Sequence, residues 1–426
     1  MNILLAKFRF FINSSGNSAG SYMDDYWHVV VRQKEIVLKT LKFTALIVTL
    51  AMLFGFTAAL AGAIEVNGDI RYRTFMDNRD FDSDTEAYNW SEMRSRVNLS
   101  ASSGDNLNFF MQMQDSRTIG AESSVIADNG MYSMHQAYFT YSPCEVSSFM
   151  AGKFALGLHN ERLVGKVGWS NVGRTFEGFV YNRDFGMFDL TFLGTQLDEV
   201  VTTEGLNNDT KLMGFNFALP QFDFFTYWAY DELEASDFSL MTLGMYRKHA
   251  FGAMDYEFMG AYQMGSYVAD VDVAAMMIFG EFGYTLANNA RVAFLMDYAS
   301  GQDDSADVTA FNNMYYTGHK FRGAMDYFVG DNDEGLMDMA FKFNYPVNDA
   351  WGLSAAAHMF TLVEVAEDAE DALGNELDFA ATYTDGAFKW TNGLSMFMAG
   401  DADVPGYSSS TGDNSMWFFS QFSAGF

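Results

Sequence analysis

From residue 64 to the C-terminus, apolar and polar residues alternate with a period of two in one segment after another. Between residues 107 and 114, one set of alternate positions reads Leu, Phe, Met, Met and the other reads Asn, Phe, Gln, Gln. The same alternation recurs at residues 254–263 and 337–345. Because successive side chains of a β-strand point to opposite faces, the pattern predicts strands that lie between two different environments.

The length of these segments and of the joints between them indicates a membrane barrel. About eighteen segments of about ten residues follow residue 64, the length that a tilted strand needs to cross a membrane. Short joints, such as residues 103–106 and 183–185, alternate with long ones, such as residues 156–174 and 300–335. We therefore predict an all-β fold: a transmembrane antiparallel β-barrel of about 18 strands with short periplasmic turns and long extracellular loops.

One long apolar run, residues 43–61, stands apart from the alternation. Two lysines precede it, and a small-x-small tripeptide of the kind that signal peptidases cut ends at residue 63. We predict a signal peptide over residues 38–63, with translation starting at Leu38, and a non-native extension over residues 1–37. The alternative is a transmembrane anchor, because the run approaches the roughly 20 residues that span a bilayer.

Charge and cysteine content narrow the function classes. The chain has 25 Lys and Arg residues against 55 Asp and Glu residues, a formal net charge of -30, which argues against nucleic acid as a partner. Its mean hydropathy is -0.06, so its apolar residues are dispersed. The single cysteine, Cys144, cannot form an intramolecular disulfide, and the sequence indicates no metal site and no cofactor.

Basic residues are concentrated on the first predicted strands. Arg71 and Arg73 share one strand face, and Arg94 and Arg96 share the corresponding face of the next strand. We expect these pairs to point into the lumen, where they either attract anions or pair with neighbouring carboxylates and make the wall rigid. The residues predicted to line the pore are Arg71, Arg73, Arg94, Arg96, Gln112, Gln114 and Arg117.

The long joints are acidic, as in the runs at residues 77–86, 331–334 and 364–371. We interpret these runs as solvated extracellular loops. The alternative is that their carboxylates bind divalent cations that bridge the loops to lipopolysaccharide, although no run has the spacing of a defined calcium loop.

The last predicted strand is strongly aromatic. Phe418, Phe422 and the terminal Phe426 share one face of it. Such an ending is similar to the signal by which the outer-membrane insertion machinery recognises its clients, and we predict that role for these three residues.

Three stretches resemble the alginate-export family of outer-membrane porins. They read MQDSRTIG at residues 113–120, NERLVG at 160–165 with WSNVGRTFEG at 169–178, and GHKFRGAMD at 318–326. Asn160 stands where the family has an acidic residue. The resemblance implies an eighteen-stranded barrel whose basic lumen passes an anionic polysaccharide or smaller solutes. On this resemblance the pore and constriction candidates are Arg94, Arg96, Arg117, Arg162 and Arg174.

The middle stretch falls in the long joint between predicted strands five and six. A long loop with a tryptophan beside two arginines is suited to fold into the lumen, although Glu161 pairing with one of those arginines to pin the loop is an equal alternative. The residues predicted to form this constriction loop are Glu161, Arg162, Trp169, Asn171 and Arg174. The third stretch gives an extracellular loop motif of His319, Lys320, Arg322 and Asp326.

These observations predict a porin of the bacterial outer membrane that passes small polar or anionic solutes. Dedicated export of an acidic exopolysaccharide is the main alternative, and a surface adhesin is a further one. We do not expect an enzyme, because the five histidines after residue 64 show no spacing that marks a nucleophile. The expected partners are the lipid bilayer and lipopolysaccharide, the insertion machinery and the solutes, and a homo-oligomer is compatible with the sequence.

Overall fold

The computed structural model describes residues 64–82, 84–121, 132–199, 209–231, 237–330, 332–404 and 413–426. The predicted N-terminal extension and signal peptide lie outside the described residues. No helix within the described ranges is long and apolar enough to cross a membrane. The only helix there is one turn of 3-10 helix at Gly318–Lys320.

The described residues form eighteen β-strands, each of 8 to 16 residues. They are β1 (Glu65–Asn78), β2 (Tyr88–Ser103), β3 (Leu107–Thr118), β4 (Ser133–Cys144), β5 (Ser147–Phe154), β6 (Phe176–Asp184), β7 (Asp189–Asp198), β8 (Thr210–Ala218), β9 (Asp223–Asp231), β10 (Ser239–Phe251), β11 (Met254–Val268), β12 (Val271–Thr285), β13 (Arg291–Ala299), β14 (Leu336–Pro346), β15 (Trp351–Thr361), β16 (Ala372–Asp385), β17 (Phe388–Ala399) and β18 (Ser415–Gly425).

Every strand pairs antiparallel with its neighbours in sequence, and β1 also pairs with β18. That last pairing runs from Asp69 opposite Gly425 to Asn78 opposite Met416 and closes the sheet into a barrel. A closed barrel leaves no strand edge unpaired, as a sheet within hydrocarbon requires. The predicted fold class and the strand number are confirmed.

The two faces of the wall differ in composition because side chains alternate along each strand. On β1 the outward-facing Ile70 and Tyr72 are exposed, whereas Arg71 and Arg73 are buried inside the barrel. Across β4 to β8 the outward face carries a continuous aromatic belt with neighbouring ring centroids 4.6 to 6.2 Å apart. The belt consists of Phe139, Phe149, Phe179, Phe192 and Phe215.

The C-terminal residue is hydrogen-bonded to the first strand. Phe426 exchanges backbone hydrogen bonds with Gly68, at 3.2 and 3.0 Å. Phe422 lies on the outward face and its ring stacks on that of Trp390 at 5.7 Å. Phe418 and Phe426 occupy alternate positions with Phe422, so all three share the outward face. Their role in insertion stays a prediction.

The joints alternate between the two rims largely as the sequence predicts. The joints are short at the rim where β1 begins and β18 ends. The opposite rim carries residues 155–175 (the β5–β6 loop) and residues 300–335 (the β13–β14 loop). One joint on the long-loop rim differs: β11 and β12 are joined by two residues, of which Asp270 has φ 63°.

Loop residues and apolar side chains occupy part of the lumen, so it is not a water-filled channel along its whole wall. Lumen-facing apolar side chains of the middle strands, such as Val180, Leu193 and Leu212, form one buried cluster with Leu163 and Val164 of the β5–β6 loop. This wall is therefore apolar on both faces, which differs from the alternation seen elsewhere. The reason is that the inward-folded loop covers it, so these positions meet protein instead of water.

Candidate functional site

The β5–β6 loop lies inside the barrel. Arg71 on β1 donates to its backbone, His159 in the loop bonds Asn216 on β8 at 2.9 Å, and Arg162 in the loop bonds Asp297 on β13. Only a segment within the closed barrel can contact three such distant parts of the wall. The loop is therefore folded into the lumen, as expected for this joint, and its role as a constriction stays a prediction.

The β13–β14 loop packs against the β5–β6 loop in the lumen. Val164 and Tyr315 form a parallel β-bridge, with backbone hydrogen bonds of 2.7 and 2.8 Å on its two sides. Arg174 donates to the carbonyls of Tyr315 and Tyr316, the latter at 3.1 Å. Lys320 donates to the carbonyl of Asn160 at 2.9 Å. The two loops therefore form one joined unit.

Glu161 contributes to this junction through Thr317 and Lys166 rather than through the arginine that the pairing alternative expected. Its carboxylate accepts a hydrogen bond from the Thr317 hydroxyl at 2.7 Å, whereas its nearest ion-pair partner is Lys166 at 3.9 Å. Glu161 has φ 70° and Arg322 has φ 60°, so both residues sit in the left-handed region that non-glycine residues seldom occupy. The contacts between the loops hold them there.

Arg162 anchors the joined loops to the wall. Its guanidinium lies 3.9 Å from the ring centroids of Phe279 and of Phe321 and pairs with the carboxylate of Asp297. Arg322 binds the same carboxylate oxygen at 3.2 Å. Burial lowers the pKa of Arg162, and the Asp297 carboxylate opposes that effect. A buried charge of this kind is tolerated only when it is paired.

The arginines of β1 and β2 hold the other end of the β5–β6 loop. Arg71 and Arg94 are direct cross-strand neighbours, and both donate to the carbonyls of Gly168 and Ser170, at 2.9 to 3.5 Å. Arg96 donates to the carbonyl of Val172 at 3.4 Å. The predicted basic wall is thus in contact with the backbone of the predicted constriction loop.

Trp169 and Arg73 form a stacked column at the centre of this contact. Arg73 pairs with Glu92 at 2.8 Å, and its guanidinium lies 4.3 Å from the Trp169 ring. The Trp169 ring also stacks on His319, with centroids 4.0 Å apart and planes 13° apart. Asp326 holds His319 through an Nδ1 contact of 2.8 Å. Motif residues from both loops therefore meet here.

The remaining predicted residues divide between the two faces of the wall. Gln114 donates to the Val172 carbonyl at 2.8 Å, and Gln112 donates to Asn98 at 2.7 Å. Asn171 donates to the Arg117 carbonyl at 3.3 Å. Arg117 itself differs from the pore-lining prediction: it pairs in register with Met93, and strand alternation puts it on the face opposite Gln112 and Gln114. Its guanidinium pairs with Asp115 at 2.5 Å.

Charge on the arginine wall is incompletely balanced. Among the described residues, Glu92 and Asp69 are the carboxylates that pair with its four arginines, the second at 3.8 Å from Arg94. Arg71, Arg73 and Arg94 are 2 to 7% exposed. Four of their buried nitrogens have no hydrogen-bond partner in the described part of the chain: Arg71 Nε, Arg73 Nε, Arg73 Nη1 and Arg94 Nε. Such atoms are costly unless an anion or water satisfies them.

The short-turn end of the lumen carries a second ionic group on β10 to β14, and here cations and anions balance. Its contacts are Arg291 with Asp255 at 2.5 Å and with Glu281 at 2.8 Å, Lys342 with Glu281 at 2.9 Å, and Lys248 with Glu257 at 2.9 Å. Within the described ranges, no group of three or more His, Cys, Asp or Glu side chains is arranged to hold a metal ion.

Sequence reasoning missed two residues that seat the loops. Asp297, which is 1% exposed, follows five consecutive apolar residues of β13, and a lone acid at such a place is the available signal. His159 was considered only as a catalytic candidate. It lies between the rings of Phe225 and Tyr246, at 4.8 and 4.9 Å, and burial lowers its pKa to about 4.

Comparisons with known proteins agree with this architecture. A family model described as alginate export matches residues 63–196 and 232–401. Similar solved structures include a BenF-like porin from Pseudomonas fluorescens Pf-5, with 10% identity and a TM-score of 0.58, and Pseudomonas aeruginosa OccK8 (OprE), with 13% identity and a TM-score of 0.57. Each comparison covers 85% of this chain and 98% of the other. At these identities the likeness shows the fold alone. Curated protein sequences give no match.

Proposed function

Because the chain belongs to the alginate-export family and folds as an outer-membrane β-barrel, we propose that it is a porin that passes small anionic or polar solutes beside its arginine wall. The family and the fold are those of transport proteins rather than of enzymes. The outward aromatic belt of the barrel faces the lipid of the outer membrane.

The observation that carries the proposal is the uneven charge of the narrowed lumen. Along the arginine wall, where the β5–β6 loop passes, four arginines have two carboxylates as ion-pair partners among the described residues. In a low-dielectric setting an excess of positive charge attracts anions and repels cations. Guanidinium groups bind carboxylate and phosphate groups through two parallel hydrogen bonds, so solutes with those groups are the best candidates.

Two observations favour small solutes over a polymer. The joined loops contact several parts of the wall, so the open cross-section is much smaller than that of an empty eighteen-stranded barrel. Trp169 is already in contact with Arg73 and stacked on His319, which leaves less of its ring for a sugar to stack on. Dedicated export of an acidic polysaccharide is the second candidate, favoured by the description of the matching family.

The test is single-channel recording of the purified protein in a planar bilayer under a potassium chloride gradient. We expect stable conductance with a reversal potential that shows chloride preference. Arg94→Gln should lower the ratio of chloride to potassium permeability several-fold. The matched control is Arg291→Gln at the charge-balanced end of the lumen, which should change that ratio much less.

The outcomes separate the two candidates. Cation preference in the unmodified protein would contradict the role of the arginine wall. A closed channel in all salts that conducts only with a polyuronate present would favour polymer export. Absence of conductance under every condition would overturn the porin proposal.

A further inference from the structure

Residues 168–172 of the β5–β6 loop cross the arginine wall as a strap. Carbonyls of alternate residues, Gly168, Ser170 and Val172, face the wall and accept hydrogen bonds from Arg71, Arg94 and Arg96. The strap is also held by the Ser116 hydroxyl, which donates to the Asn171 carbonyl at 2.6 Å. This stretch of turn and bend backbone therefore occupies donors of the basic wall.

A backbone carbonyl is an imperfect partner for a guanidinium. It accepts a hydrogen bond, but it is neutral, so it leaves the positive charge of the wall in place. Arg71 and Arg94 are like charges directly across a strand pair, an arrangement that is destabilising unless an anion lies between them. The strap carbonyls thus take the positions at which an anion could bind the arginines, but they do not neutralise the positive charge of the arginines.

The strap also controls access to this site. The four unpartnered nitrogens of Arg71, Arg73 and Arg94 are fully buried, and strap carbonyls bind the terminal nitrogens of Arg71 and Arg94. We therefore expect an anion to reach this group only after the strap has moved. Anion binding and strap displacement are therefore coupled, and by linkage each favours the other.

Both ends of the strap have backbone conformations suited to a hinge. Val167, just before it, has φ 50°, which is strained for a β-branched residue, and Gly173, just after it, has φ 83°. Strain of this kind persists only where surrounding contacts enforce it. Those contacts are the arginine–carbonyl bonds and the stacking of Trp169 between Arg73 and His319.

We propose that the strap is a gate displaced by anions: a solute bearing carboxylate or phosphate groups takes the place of the strap carbonyls on Arg71, Arg94 and Arg96, and the strap swings away about Val167 and Gly173. This inference rests on the proposed function for its solute class and adds how the pore opens. The contacts of Trp169 with Arg73 and His319 hold the strap closed, since they must break before the strap can move.

The test measures strap position directly, with pyrophosphate as the probe. Gln114 lies beneath the strap and is 3% exposed, so a thiol in its place reports displacement. We would compare the rate at which an uncharged thiol reagent modifies Gln114→Cys in a Cys144→Ser background, with pyrophosphate or with sodium chloride of equal ionic strength. Ser116→Cys, also under the strap, replaces Gln114→Cys if that variant fails to fold.

The matched control is Gln263→Cys. Gln263 is another buried lumen glutamine, 0% exposed, and it donates at 2.7 Å to the Asn312 carbonyl of the β13–β14 loop, outside the strap. We expect pyrophosphate to raise the labelling rate of Gln114→Cys by about tenfold, the effect of a tenfold shift in the open population. Gln263→Cys should not respond, and Arg71→Gln with Arg94→Gln should abolish the response.

Failure of the gate and failure of the porin can be told apart. A protein that conducts anions while pyrophosphate leaves the labelling rate of Gln114→Cys unchanged overturns the gate and keeps the porin. Accelerated labelling in a protein without conductance supports the gate and overturns the porin. Equal acceleration at Gln114→Cys and Gln263→Cys would mean general loosening and would also overturn the gate.

Discussion

The loop-filled half of the lumen and its short-turn end use charged residues in different ways. In the loop-filled half, Arg162 is 3% exposed and shares the single carboxylate of Asp297 with Arg322. At the short-turn end, Arg291 is a quarter exposed and has two carboxylate partners, Asp255 and the Glu281 that it shares with Lys342. Buried ions that share one partner depend on it strongly, whereas exposed paired ions are screened by water. The same residue type therefore locks the loops in one place and only lines the wall in the other.

The largest effect should follow from breaking the buried group. Asp297→Asn leaves Arg162 and Arg322 buried without their carboxylate, and we expect it to lower the free energy of unfolding by about 3–5 kcal/mol. The measurement is the urea midpoint of the protein in detergent micelles. A loss of less than about 1 kcal/mol is typical of solvent-exposed ion pairs. It would contradict the difference in stability that we expect between the buried Asp297 group and the short-turn end.

The second-largest effect should be a loss of stability of the loop-filled half at acidic pH. Burial lowers the pKa of His159 to about 4 in the folded protein, below its unfolded value near 6.5. The unfolded state therefore binds more protons between these values, so stability present above pH 6.5 is lost as the pH falls toward 4.

The pH dependence is measurable as the urea midpoint between pH 8 and pH 4. The matched control is His159→Gln, which keeps a donor toward Asn216 but does not titrate. Its midpoint should vary less with pH over this range. An identical pH profile in both proteins would show that other groups cause the loss.

The smallest effect is expected at the short-turn end. Arg291→Gln removes a partly exposed ion pair and should change the free energy of unfolding by less than about 1 kcal/mol. The urea midpoint again gives the answer. A loss as large as that of Asp297→Asn would mean that the two ionic groups are energetically alike, against the difference in their burial.

The sequence predicts the barrel well because each strand has its own alternation of apolar and polar residues and each turn has its own turn-forming residues. The contact between Val164 and Tyr315 has no such signal, since neither residue carries information about a partner 151 positions away. Arg117 is a different case: it lies an odd number of residues from Gln112 and Gln114, so strict counting would have placed it on the other face. The motif residues of the two long loops were found through family resemblance, and their stacking around Trp169 through the structure alone.

The pairing of β1 with β18 has a consequence for the order of assembly. All other neighbouring strands are consecutive in the chain, so each can be added as a local hairpin, and among the described strands only this seam joins positions such as Asp69 and Gly425 from opposite ends of the chain. Because closing a long loop costs chain entropy, we expect this distant contact to form late and slowly. The β5–β6 loop touches β1, β8 and β13, whose relative positions become fixed only when the seam shuts. We therefore expect the β5–β6 loop to acquire its native structure after the seam has closed.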